Sequence, residues 1–207
     1  MSHSQAFIGR VLQANATGFL VGCRVPQLQE SGLAFGALVR VTPAENDPAP
    51  EIFGIIAEIH LPGDDLVKQL TIAPDVPVSI HADQHQRNLP VEIHVLALGY
   101  RDPEGRIRHL LPPRPPLTLA NLYLCTPAEV REFTTAGRMG YFRHILRAQD
   151  APTDEILAVH LRQAREAHRD GGDPEWAHQA TRHLITLLRD DYERLTRLLD
   201  ALGEVIA

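Results

Sequence analysis

Cysteine is almost missing from this chain of 207 residues: only Cys23 and Cys125 occur, about a hundred positions apart. That spacing excludes a disulfide scaffold and a cysteine-rich zinc module. No apolar run approaches the ~20 residues a membrane helix needs, and the stretch from Met1 to Arg10 has no apolar signal core. The expectations that follow are a cytoplasmic location and no membrane partner. Serine is scarce too, at positions 2, 4, 31 and 79, and no Gly-x-Ser-x-Gly elbow frames any of them. Excess positive charge is also lacking. Twenty basic residues stand against 26 acidic ones for a net charge of -6, which disfavours a polyanion binder that relies on bulk charge. With 44% hydrophobic and 22% charged residues the chain has the composition of a folded globular protein, of one or two domains.

The chain changes character near residue 126. Before that point it reads in twos. Phe19, Val21, Cys23 and Val25 alternate with their neighbours, as do Phe35, Ala37, Val39 and Val41, then Phe53, Ile55, Ala57, Ile59 and Leu61, and residues 91–100 behave similarly. Period two predicts strands with two distinct faces. Three prolines between Pro43 and Pro50 mark a loop, and Asp102, Pro103, Glu104 and Gly105 mark the turn of a hairpin that returns through residues 106–111. Residues 63–90 read as a polar excursion holding at most one short strand, 77–82.

After the cluster Pro112, Pro113, Pro115 and Pro116 the period becomes helical. Thr126, Pro127 and Glu129 make a capping box that should start a short helix ending near Phe133. Thr153 is expected to cap a second helix that Gly171 and Gly172 stop, and Asp173 and Pro174 open the last one. That last stretch carries Leu184, Leu187, Leu188, Leu195, Leu198, Leu199 and Leu202 on one stripe and reads as a single long helix, folded back as an antiparallel hairpin. The fold expected is α+β: a small β-barrel over residues 1–125, then a helical domain over 126–207. Its surplus leucine face favours either packing on the barrel or oligomerisation.

Three elements in the strand region carry a resemblance: Phe7, Ile8, Gly9, Arg10 and Val11; then Gly36 to Val41; then Phe53 to Ile59 with Gly54 near its start. In order and spacing they resemble the HAS barrel, the small β-barrel at the N-terminus of ATP synthase catalytic-ring subunits and HerA-type hexameric DNA-translocating ATPases. Leu110 to Pro116 resembles the proline-rich exit of such barrels. The resemblance implies contacts with neighbouring subunits or a docked partner. Glycine suits such strands because a small barrel bends sharply. The motor itself is not implied, since Lys68 is the only lysine and no Gly-rich loop precedes it, so a phosphate-cradling loop cannot be formed.

Three candidate sites follow from side-chain chemistry. His81, Asp83 and His85 at i, i+2 and i+4 would share a strand face and could hold a divalent metal, with His94 as a further nitrogen, unless they are simply polar residues of the excursion. Arg138, Met139, Tyr141, Phe142, Arg143 and Arg147 mix guanidinium, sulfur and aromatic groups. That composition suits a partner-binding surface or base stacking, and it equally suits a short helix burying Tyr141, Phe142 and Ile145. His160, His168, His178 and His183 read as surface or half-buried histidines. No cofactor is expected. The function expected is a non-catalytic assembly or adaptor protein, a homo-oligomer or docked on a protein partner such as a ring ATPase or DNA-processing complex. The alternatives are a nucleic-acid-binding module using residues 138–147 and a metal-dependent hydrolase at His81, Asp83 and His85.

Overall fold

The computed structural model describes residues 6–43, 49–61, 91–149 and 151–206. Its strands are β1 (Phe7–Ala14), β2 (Gly18–Cys23), β3 (Leu38–Thr42), β4 (Glu51–His60), β5 (Val91–Arg101), β6 (Ile107–Arg108) and β7 (Asn121–Leu124). The helices are α1 (Val25–Glu30), α2 (Pro127–Thr135), α3 (Phe142–Leu146), α4 (Thr153–Arg169), α5 (Trp176–Leu187) and α6 (Tyr192–Ile206), with a 3₁₀ turn at Ala136–Met139. The sheet runs β2-β1-β7-β3-β4-β5, every pair antiparallel, and β5 pairs back onto β2. Six strands therefore close a barrel, which leaves β6 as an outer extension of β5. The fold is α+β, as the sequence implies.

Barrel closure rests on the alternation read above. Val21, Val39, Val41, Ile52, Ile56, Ile93, Val95 and Leu122 fill the interior together with Ile8, Val11 and Phe19. The opposite face of the wall is also apolar: Leu38, Phe53, Ile55, Ala57 and Leu98 meet Phe133, Tyr141, Phe142, Leu157, Leu161, Trp176, Leu184, Leu198 and Leu202 from the helices. This is why β4 is buried without interruption from Ile52 to Ala57. Each such side chain contributes ~1.5–3 kcal/mol, so the helices are held on their own barrel by a continuous core. Gly9 permits the closest approach of β1 to β2, since a Cβ there would lie 2.2 Å from the Gly22 carbonyl oxygen.

An ionic clamp ties α2 to the wall. Arg40, 3% exposed, reaches Glu51 at 2.8 Å and Glu129 at 2.7 Å and lies over the Tyr123 ring. Arg101 joins Glu51 at 3.0 Å and Glu132 at 2.5 Å. The Thr126 capping box forms as expected, with the Thr126 amide donating to Glu129 Oε2 at 2.8 Å and the Glu129 amide to Thr126 Oγ1 at 3.3 Å.

Three local expectations are corrected. Val25 does not extend β2. It begins α1, because Pro26 fixes a helical φ and the Gln27 side chain takes the Arg24 amide at 3.0 Å. Thr153 is the first residue of α4 and makes no cap; its hydroxyl accepts from Arg194 Nη2 at 2.8 Å. The single long last helix is two helices, interrupted after Leu188, where the Asp191 carboxylate accepts the Arg194 amide at 3.1 Å and restarts the chain as α6. The break lets Leu184 and Leu188 on one side and Leu198 and Leu202 on the other all reach the core. No helix among the described residues is long and apolar enough to cross a membrane. The strand expected at 77–82, Lys68 and the candidate ligands His81, Asp83 and His85 lie outside the described residues.

Candidate docking surface

Between β6 and β7 the chain runs His109-Leu-Leu-Pro-Pro-Arg-Pro-Pro-Leu-Thr-Leu-Ala120 without regular structure. This strap is pinned at both ends. At its start the buried His109 ring bonds the Phe133 carbonyl through Nε2 at 2.9 Å, and since a carbonyl only accepts, Nε2 carries the proton. The His109 carbonyl in turn accepts from Arg143 Nη2 and from His144 Nε2, the latter at 3.3 Å. At its end the Leu119 amide donates to the Val11 carbonyl at 2.8 Å, and the Val11 amide to Ala120 at 3.0 Å. Pro112 and Pro116 are buried, and four prolines limit the backbone in between.

What this stiff strap displays is leucine. Leu110 is 54% exposed, Leu111 38%, Leu117 63% and Leu119 66%. Leu119 also has a φ of 69°, a left-handed conformation that costs a leucine ~1–2 kcal/mol. Beside Leu117 and Leu119 lies a cleft of ≈ 240 Å³ whose walls include Val41, Thr42, Pro43, Ile52 and Pro116. The Thr42 hydroxyl is buried there without a hydrogen-bond partner. Rigid, exposed apolar side chains next to an apolar depression are the usual anatomy of a protein contact. No family model matches this chain, and neither does any curated protein.

The arginine and aromatic residues singled out in the sequence separate into two groups. Tyr141 and Phe142 are fully buried and Met139 is 9% exposed, all three in the core beneath the helices. The Tyr141 and Phe142 rings are thus enclosed by the core. Arg138 and Arg147 are exposed, whereas Arg143 is half-buried and spends a hydrogen bond on the strap at His109. Gly137, Arg138 and Met139 form a left-handed turn at φ 54°, 50° and 58°, which carries the chain from α2 over His109 into α3.

Histidine placement also departs from expectation, because His160 and His168 are buried, at 1% and 3% exposure. His160 Nε2 meets the Tyr141 hydroxyl at 3.0 Å, and the same imidazole hydrogen-bonds the Gly36 backbone. His168 accepts the Asp173 amide on Nδ1 at 3.3 Å, so its Nε2–H donates to Thr134 Oγ1 at 2.8 Å. Trp176 stacks on the His168 ring at 4.8 Å. Burial pushes His109 and His160 down to about 4 and lowers His168 as well, so all three are neutral structural groups near pH 7. Burial likewise drives the Cys125 thiol up, away from nucleophilic use. His94 is exposed on β5, opposite Glu58 of β4. Among the described residues no three His, Cys, Asp or Glu side chains gather as a metal set.

The strap leucines were missed in the sequence, where Leu110 to Pro116 reads only as a proline-rich exit from the barrel. The signal available was Leu-x-Leu directly after a double proline.

Proposed function

We propose that the protein is a non-catalytic assembly or adaptor module, in which the closed barrel and its helices form a rigid frame and the strap docks a protein partner. The observation that carries this reading is the exposure of Leu110, Leu111, Leu117 and Leu119 on a backbone pinned at His109 and at Leu119. Unpinned leucines of a loose loop would fold inward or lose much binding energy to ordering; pinned ones are ready to bind. The resemblance of the strand region to HAS barrels supports the same reading and makes a ring ATPase or a DNA-processing assembly the partner class. A photo-crosslinking residue placed at Leu111, and separately at Leu117, tests it in cells of the source organism. Adducts with a defined protein, abolished when neighbouring leucines become aspartate, support docking. Absence of any adduct from every strap position overturns it.

A further inference from the structure

We infer that the strap is held by a pH-sensitive latch: a proton taken up at His109 expels its ring from beneath the helices and frees the strap, and with it the docking surface, while the barrel and helices stay folded. The inference rests on the docking reading above and adds a control to that same surface. The His109 ring is 5% exposed, enclosed by Phe133 at 4.7 Å, by Tyr141 at 4.9 Å and by Gly137, where a Cβ would come within 2.7 Å of Nδ1. Its one ring proton sits on Nε2 and is spent on the Phe133 carbonyl. A second proton must therefore enter at Nδ1, which is buried and makes no hydrogen bond. A buried N–H without an acceptor is costly, and a buried charge is costlier still.

The charged groups around this anchor repel the proton. From α3 come the Arg143 guanidinium and His144, both donating to the His109 carbonyl, and Arg147 bears on His144 in turn. The turn from Ala136 to Met139 carries only Arg138, and Tyr141 offers a hydroxyl already bonded to His160. The acids of the neighbouring elements are engaged elsewhere: Asp102 with Arg108 of β6, and Glu132 of α2 with Arg101. No carboxylate is among the groups that bear on either imidazole. Burial is the main cause that holds His109 down at about 4; the Phe133 and Gly137 backbones pull the other way and do not prevail. Burial lowers His144 too, so acid brings a second charge to the same anchor. The strap is the part that yields. Leu110, the next residue, is 54% exposed, so the His109 ring reaches water by movement of the strap alone, whereas His160, 1% exposed within α4, cannot leave without its helix.

A thiol placed at the buried Pro112 reads the latch. The full chain carrying Pro112→Cys is labelled with dithiodipyridine at pH 7.5 and at pH 5.5, each rate divided by that of the urea-unfolded chain at the same pH. The native thiols of Cys23 and Cys125, both buried, report any opening of the whole fold. From an ordinary histidine value of ~6.5 and a latched one of about 4, labelling of the introduced thiol should rise roughly tenfold at pH 5.5 while the native thiols stay protected. His109→Gln in the same background should lose the rise, because its amide can still donate to the Phe133 carbonyl but takes up no proton. His160→Gln should keep it. Should His109→Gln prove open at both pH values, the comparison of the parent with His160→Gln decides. No rise in the parent, a rise shared equally by Cys23 and Cys125, or a rise abolished by His160→Gln would each overturn the inference. None of these readouts involves a partner: a strap that opens in acid but cross-links to nothing removes the docking reading alone, and one that cross-links but stays shut in acid removes the latch alone.

Discussion

Acidification should loosen this fold well above the pH at which its carboxylates protonate. His109 and His160 are held neutral by burial at about 4, whereas an unfolded chain gives a histidine its ordinary value of ~6.5. A group whose folded value is depressed binds fewer protons folded than unfolded, so stability is complete above ~6.5 and falls as pH drops toward ~4. Each histidine contributes a slope of up to ~1.4 kcal/mol per pH unit, and the two together remove ~4 kcal/mol between pH 8 and pH 5. Against a total of roughly 5–15 kcal/mol that is a large share. Around His109 the charged neighbours are Arg143 and His144, which oppose protonation further; around His160 the contacts are the neutral Tyr141 hydroxyl and the Gly36 backbone. Glu132, which the Arg101 guanidinium holds below the usual carboxylate range, loses its contribution only below ~4, outside the window. Urea titrations at several values from pH 8 to pH 5, read by far-ultraviolet circular dichroism and by the single tryptophan, measure the slope. His160→Gln should remove about half of it. A urea midpoint that does not move between pH 7 and pH 5, or a full slope surviving in His160→Gln, would refute the assignment of these two imidazoles as buried and neutral.

Other substitutions test separate joints of the structure. Arg40→Ala leaves Glu51 with Arg101 alone and Glu129 with its Thr126 bonds alone, and should cost ~2–3 kcal/mol in urea unfolding; a loss below ~1 kcal/mol would mean the clamp is not buried as described. Gly36→Ala places a Cβ 2.9 Å from Val159 Cγ1 at a φ of 75°, so strain and overpacking together should cost ~2–4 kcal/mol, and a neutral result would contradict the seating of α4 against the β3 entrance. Leu119→Asn relieves the left-handed leucine and should raise stability by ~1 kcal/mol in thermal or urea melts; an unchanged or lowered midpoint would mean that the φ at 119 carries no strain.

The strands were legible as short runs of apolar, mostly β-branched residues bounded by Pro, Gly and Asp, although walls with two apolar faces blur the alternation itself. Phe53 to Ala57 shows this: its odd members face the helices and its even members the interior, and both sets are apolar. The capping box at Thr126 was legible for the opposite reason, being wholly local. The last two helices were not separable by leucine spacing, since the step from Leu188 to Leu195 is seven residues and continues a helical stripe across the break. The restart is visible only in the Asp191 cap, a signal that competes with the adjacent Asp190 and with Arg189 and Arg194 nearby. The arginine and aromatic segment was ambiguous in principle: an interface and a core corner use the same Tyr, Phe and Met, and tertiary burial decides between them. Exposure of the strap leucines is likewise a tertiary fact, set by where β1 and α3 grip the chain.

That grip gives the helices a role beyond covering the wall. The Phe133 carbonyl of α2 accepts from His109 Nε2, while Arg143 and His144 of α3 donate to the His109 carbonyl, so the first residue of the strap is fixed by two helices and not by the sheet. Ala120 and Leu119, at the other end, are fixed by β1 alone. The strap thus spans from the helical layer to the barrel, and its leucines hold position only while the two layers stay docked through Arg40, Arg101 and the shared core. A barrel stripped of its helices could still close its six strands, yet its proline strap would swing from one anchor, and ordering the freed segment at ~1–2 kcal/mol per residue would offset most of what a few leucines return on binding.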